Sequence, residues 1–321
     1  MWPALHARHA PTQAKAQVKY RRERWSTPDS DFIDVDWQDA PVNSPGLAPI
    51  LVLFHGLEGS SRSHYALAFA RYAHSCGLAF AVPHFRGCSG ELNHAPRAYH
   101  AGDFEEVGWI LQRLRQRTRR PMLVVGVSLG GNALLRWAQE AGSQAAEVAS
   151  AVASISAPVD LAASGDALGQ GFNRWVYTPM FLSSMKPKAM QKLVQHPGLF
   201  NPSKLLASRT LYEFDNVFTA PLHGFKNVDD YWQRASAKPQ LTRLKIPSLL
   251  VNAQNDPFVP AACLPRFDTT GGHVELWQPR QGGHVGFAQG SWPGHCNALP
   301  KAVLGWLAQQ SHLILKVQSD G

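Results

Sequence analysis

The segment Gly126-Val127-Ser128-Leu129-Gly130 sets a serine between two glycines in a G-x-S-x-G arrangement, after an apolar run and ahead of an amphipathic one. A serine hydroxyl is useful as a nucleophile when it projects from a sharp turn between strand and helix, and flanking glycines remove the side chains that would collide there. The motif is weak alone; the strand before it and the helix after it are what make Ser128 the nucleophile candidate. A helix opening at Leu129 also offers unpaired amides and a dipole that favours negative charge beside Ser128, which suits acyl transfer. The Leu129 amide is therefore one expected oxyanion donor. The second is expected from the Leu57 amide, in His55-Gly56-Leu57-Glu58-Gly59 after an apolar run, where Gly56 lets the backbone approach a substrate. His55 itself reads as a structural hydrogen-bonding residue.

Serine needs a base and an acid that orients the base, and one recurrent chain order is serine, acid, histidine. Asp256 closes the run SLLVNAQND at a Pro-containing loop, and His284 lies in QGGHVGF, on a loop supple enough to bring an imidazole to Ser128. The rival histidines are His273, at the head of the preceding strand, and His295, in a Pro-Gly-rich loop. The rival acids are Asp160 and Asp268, either of which can instead cap a loop or helix. Metal chemistry is not expected: H-E-x-x-H is absent, and His94 with His100 lacks an acidic or thiolate set at ligand spacing. No Walker A motif or G-x-G-x-x-G follows a strand, so no cofactor is expected either.

These residues need a scaffold. Val18–Trp25 and Asp31–Trp37 read as short strands joined at Pro28-Asp29. Strands are then expected at Ile50–Phe54, Leu78–Pro83, Met122–Val127, Ala149–Ser156, Ser248–Asn252 and Val274–Trp277, with helices at Ser63–Ser75, Asp103–Arg117, Gly130–Glu140 and Pro300–Gln310. Continuously apolar strands alternating with helices imply an α/β fold with a mostly parallel sheet covered on both faces. The rhythm fails between Ser156 and Ser248. Residues 158–240 read as a cap inserted at the C-terminal edge of the sheet, on a single core made of 18–157 and 241–312. Trp175, Phe181 and Met185 in the cap are candidates for limiting the length of an acyl chain.

Composition excludes several classes. With 321 residues, 45% hydrophobic and 17% charged, the chain has material for a large core and is neither disordered nor collagen-like. The formal charge of +8 is mostly dispersed; its densest run, Arg113–Arg120, ends an expected helix, where cations are ordinarily solvated. No nucleic-acid motif accompanies it, and no nucleic-acid partner is expected. Four cysteines without a CxxC pair fit a reduced, cytoplasmic setting. The N-terminus lacks a signal-peptide core, and no stretch reaches the roughly 18 apolar residues of a membrane span, so a soluble protein is expected. Its partner is then a small ester or acyl-lipid substrate, with peripheral membrane contact allowed by the positive charge.

HGLEGSS (55–61), FRGCSGE (85–91), GVSLGGNALLRW (126–137), LYEFD (211–215), NDPFVP (255–260) and GGHVGF (282–287) together resemble the YheT-like branch of the α/β-hydrolases, esterases related to the animal ABHD acyl hydrolases. The resemblance spans nearly the whole chain from Trp2. It implies the α/β-hydrolase fold, ester hydrolysis without a cofactor, and Ser128, Asp256 and His284 as nucleophile, acid and base. Cys88, in the FRGCSGE loop, is expected to pack rather than react. Members usually carry Asp where Asn255 stands, often Asn where His84 stands, and a stretch ahead of the Trp-Pro pair that here follows Met1 directly.

Overall fold

The computed structural model describes residues 18–42, 44, 48–290 and 295–315; the basic N-terminal segment with Trp2 lies outside them. Eight strands are present: β1 (Arg21–Ser26), β2 (Phe32–Gln38), β3 (Ile50–Phe54), β4 (Ala79–Pro83), β5 (Met122–Val127), β6 (Ala151–Ile155), β7 (Ser248–Val251) and β8 (Val274–Trp277). They form one sheet in the order β1-β2-β4-β3-β5-β6-β7-β8. β2 runs antiparallel to both neighbours and every later pairing is parallel. β1 starts at Arg21, later than the expected Val18; Tyr20 lies outside it, its hydroxyl donating to the Ser61 carbonyl at 3.1 Å.

Successive residues of a strand face opposite sides of the sheet, so a strand buried on both faces must be apolar throughout. Val52 and Phe54 of β3 enter one core layer, under α2 (Phe104–Arg117) and α3 (Leu129–Ala141). Leu51 and Leu53 enter the other, under α1 (His64–Ser75) and the C-terminal helix Ala298–Gln310. The basic run at the end of α2 is held down: Arg113 lies over the rings of Trp25 and Trp109, and Arg117 pairs with Glu23. The positive charge there serves the edge of the fold.

Between β6 and β7 the described chain forms helices and no strand. The α-helices of six residues or more are α4 (Leu161–Leu168), α5 (Gly171–Gln195), α6 (Pro202–Ala207), α7 (Leu211–Val217) and α8 (Val228–Ala235), with the C-terminal helix then numbered α9. Good caps start several of them. Asp160, Asn201, Thr210 and Asn227 each accept a backbone amide at the head of α4, α6, α7 and α8. The helices build two small apolar clusters of their own, around Phe214 and Phe218 and around Tyr231 and Trp232.

Candidate active site

β5 ends at Val127 and α3 begins at Leu129, leaving Ser128 to make the whole turn with φ 53° and ψ −122°. That backbone is disfavoured for any residue with a Cβ and persists only because its surroundings hold it. The Ser128 amide donates to the Ile155 carbonyl at 2.8 Å, and its carbonyl accepts from Gly131 at 2.9 Å. The flanking glycines permit the crossing. A Cβ on Gly126 would lie 2.4 Å from the Gly130 carbonyl oxygen, and one on Gly130 would lie 2.4 Å from that of His55. Side chains there would push the helix off the sheet.

The loops after β7 and β8 bring two more side chains to this turn. The His284 Nε2 is 3.0 Å from Ser128 Oγ, and its Nδ1 is 2.9 and 3.1 Å from the two carboxylate oxygens of Asp256. A carboxylate only accepts, so Nδ1 carries the proton and Nε2 is left to accept from the serine hydroxyl. The Asp256 side chain is completely buried, and the Phe258 amide donates to its Oδ1 at 2.8 Å. The ring of Phe258 lies against the imidazole, with centroids 4.4 Å apart.

Two further residues fix the histidine loop, Asn255, noted in the sequence only as a departure from the family, and Ser156, which the sequence did not single out. The Asn255 Oδ1 accepts from the Gly283 amide at 2.8 Å, while Ser156 Oγ accepts from the Val285 amide at 3.1 Å. Asn255 therefore does by hydrogen bonding what needs no negative charge. Val285 has φ 58°, a strained value for a β-branched residue, so the Ser156 contact holds the turn against its own preference.

Leu57 and Leu129 flank the serine, and among the described residues neither amide donates to another group. The loop around Leu57 is pinned on both sides: the Gly56 amide donates to the Tyr65 hydroxyl and the Glu58 amide to the Tyr99 hydroxyl, each at 2.9 Å. His55 is fully buried, and burial pushes it down to about 3. Its Nδ1 donates to the Gly56 carbonyl at 2.8 Å and its Nε2 accepts from the Phe85 amide at 3.1 Å, so it is a neutral structural link. Tyr65 and Tyr99 carry no signature in a single sequence that would have found them.

A cavity of about 160 Å³ opens over this constellation, with Ser128, His284, Leu57 and Leu129 on one side and Phe181, Met185, Phe214 and Trp232 of the inserted helices on the other. Its lining is mostly apolar. Of the three bulky residues of the insertion singled out from the sequence, Phe181 and Met185 line it, whereas Trp175 stands on the outside. Asp215 is an unexpected acid in the wall: burial pushes its carboxyl up to about 6, against hydrogen bonds from Thr219 Oγ1 at 2.6 Å and Trp232 Nε1 at 2.9 Å. Burial likewise pushes the Cys88 thiol up to about 12, which leaves it a protonated packing residue. The rivals have other employment. Asp160 caps α4 and sits 3.1 Å from Lys238 Nζ, Asp268 is an exposed partner of Arg266, and His295 pairs through its backbone with Gln289.

The alpha/beta hydrolase fold family matches residues 49–291. The chain is 37% identical to "Putative esterase YheT" of Escherichia coli (strain K12), over 88% of this chain and 83% of that protein. It is 29% identical to "Phospholipase ABHD3" of Mus musculus, over 90% of this chain and 71% of that protein. Among solved structures, Est1E from Butyrivibrio proteoclasticus superposes with a TM-score of 0.55 at 15% identity, covering 90% of this chain and 98% of Est1E, a likeness of fold. The strand order, the reversed β2 and these similarities agree, and the chain belongs to the α/β-hydrolase fold family, within its YheT-like branch.

Proposed function

We propose that the protein is a serine hydrolase that cleaves carboxylic esters through an acyl-enzyme. The observation that carries this reading is the continuous hydrogen-bond chain from Ser128 Oγ to His284 Nε2 at 3.0 Å and from His284 Nδ1 to Asp256 at 2.9 Å, buried beneath an apolar cavity. Ser128 Oγ attacks the ester carbonyl while Nε2 takes its proton. The charge that develops on the carbonyl oxygen is met by the amides of Leu57 and Leu129, and Asp256 stabilises the imidazolium. The tetrahedral intermediate collapses as His284 returns the proton to the leaving alkoxide, leaving the acyl group on Ser128. Water, deprotonated by His284, then releases the acid.

In this reading residues 158–240 form a cap over a core of 18–157 and 241–312, and the apolar cavity receives the acyl chain of a small ester or acyl lipid. The names esterase and phospholipase of its relatives lend this substrate class support. No metal or cofactor takes part, and the cytoplasm is the setting that suits four free thiols. The test is a panel of esters of graded acyl length with one thioester, one phospholipid and an added alcohol acceptor. Ser128→Ala should lower turnover of every accepted ester by about 10⁴-fold or more. Turnover that survives this change at the wild-type rate would move the chemistry elsewhere, and a product carrying the acceptor alcohol would make the protein an acyltransferase with the same relay.

A further inference from the structure

Helix α5 presents two different faces. Phe181, Met185, Lys188, Ala189 and Lys192, at steps of three and four, line the cavity. Phe172, Trp175, Val176 and Met180 also recur at steps of three and four, but they face outward, and Trp175 is 78% and Phe172 66% exposed. An aromatic and aliphatic stripe of this kind in water marks a contact surface.

Its electrostatics say what it meets. Between Asp166 and Glu213 the chain holds six Lys and Arg residues and no Asp or Glu. Lys192 is buried on the carbonyls of Asn93 and Ala95, and Lys188 pairs with Glu58 at 2.8 Å. Among the described residues the side chains of the other four, Arg174, Lys186, Lys204 and Arg209, form no ion pair; the Lys186 ammonium donates to the carbonyls of Leu206 and Ser208 at 2.7 and 2.6 Å, and the Arg209 backbone amide donates to the Glu213 carboxylate. Arg174, Lys186 and Arg209 line one outward groove together with Trp175, Pro179 and Ser208. A twofold contact between copies would lay this cation-rich face on itself, cations against cations. A surface of anionic lipid instead takes the aromatic side chains into its acyl boundary and sets its phosphates against the cations.

We infer that the outer face of α5, with the groove of Arg174, Lys186 and Arg209, docks the protein on an anionic lipid surface. Docking there places the lipid one helix diameter, about 10–12 Å, from the cavity that the inner face of the same helix walls. The inference concerns binding and stands apart from the role of Ser128. Its test is cosedimentation of the full chain with vesicles of phosphatidylcholine alone and of phosphatidylcholine mixed with phosphatidylglycerol. The protein should sediment with the mixed vesicles, far less with phosphatidylcholine alone, and be released by high salt. Paired Phe172→Ser and Trp175→Ser changes should weaken binding about tenfold or more, and Arg174→Gln and Arg209→Gln about fivefold each, while hydrolysis of a short soluble ester stays at the wild-type rate. Failure to sediment with the mixed vesicles, or binding untouched by both sets of changes, would overturn the assignment. So would a concentration-dependent dimer that Trp175→Ser dissolves, because the face would then belong to a second copy.

Discussion

At the scale of single residues, Asp256 and Asp160 differ in what each carboxylate already holds. Asp256 accepts from His284 Nδ1 and from the Phe258 amide, whereas Asp160 accepts from the Ala163 amide as a helix cap and faces Lys238. An amide at 256 can hold the imidazole in the wrong tautomer and offers no charge to imidazolium, so Asp256→Asn should cost roughly 10⁴ in kcat. Asparagine caps a helix as well as aspartate does, so Asp160→Asn should change kcat by no more than about twofold and stability by less than about 1 kcal/mol. Side-by-side kinetics on variants checked by circular dichroism decide it, and the opposite order would transfer the acid to Asp160. The candidates Ser128, Asp256 and His284, which the fold brings into one hydrogen-bonded chain, stood out in the sequence because each sits in a local signal, a residue of the right type just past an apolar run. The residues that hold them were not. Ser156 and Val285 are 129 positions apart, and Glu58 and Tyr99 are 41 apart, so only the folded chain brings these pairs together.

At the scale of elements, the parallel strands stood out because burial on both faces forces continuous apolar runs, and the helices of the core because one face must repeat at three and four. The inserted helices between β6 and β7 were legible only as an interruption, rich in aromatic residues and methionine. Residues four apart on a helix share a face and residues six apart do not, which is why Phe181 and Met185 look inward together while Trp175 looks out. Under the proposed function, the inward pair sets the depth available to an acyl chain. Phe181→Ala and Met185→Ala should each raise the ratio of kcat/KM for an octanoyl ester over a butyryl ester by about tenfold, and Trp175→Ala should leave the ratio unchanged. A profile indifferent to both inward changes would mean that the acyl chain lies elsewhere.

At the scale of the whole molecule, buried ionisable groups tie stability to pH. Burial depresses His55 and His223 to about 3 from 6.5, with the neighbouring His100 adding to the effect at His223. The unfolded chain therefore takes up these two protons first as pH falls. The stability they contribute is complete above about 6.5 and is lost towards pH 3, each at about 1.4 kcal/mol per pH unit. Asp215 has the opposite sign: its carboxyl, raised to about 6 from 3.8, favours the folded state as pH falls through that window. Burial also holds His64 and His100 below the usual imidazole range and raises the Glu106 carboxyl, so four histidines against two acids leave a net loss between pH 6 and 4. Urea unfolding across this range should show stability falling with acid, more gently in His55→Gln and more steeply in Asp215→Asn. A His55→Gln variant with the wild-type slope would mean that His55 already carries a proton in the folded state.

The strain at Ser128, the glycines that permit it and the cavity above it all bear on the reactivity of one hydroxyl. Fluorophosphonate labelling of the full chain, read by intact mass and peptide mapping, measures that reactivity directly. One adduct should form, on Ser128; it should slow by orders of magnitude in His284→Ala and vanish in Ser128→Ala. An adduct on any other residue, or one that persists in Ser128→Ala, would contradict the assignment of Ser128 as the nucleophile.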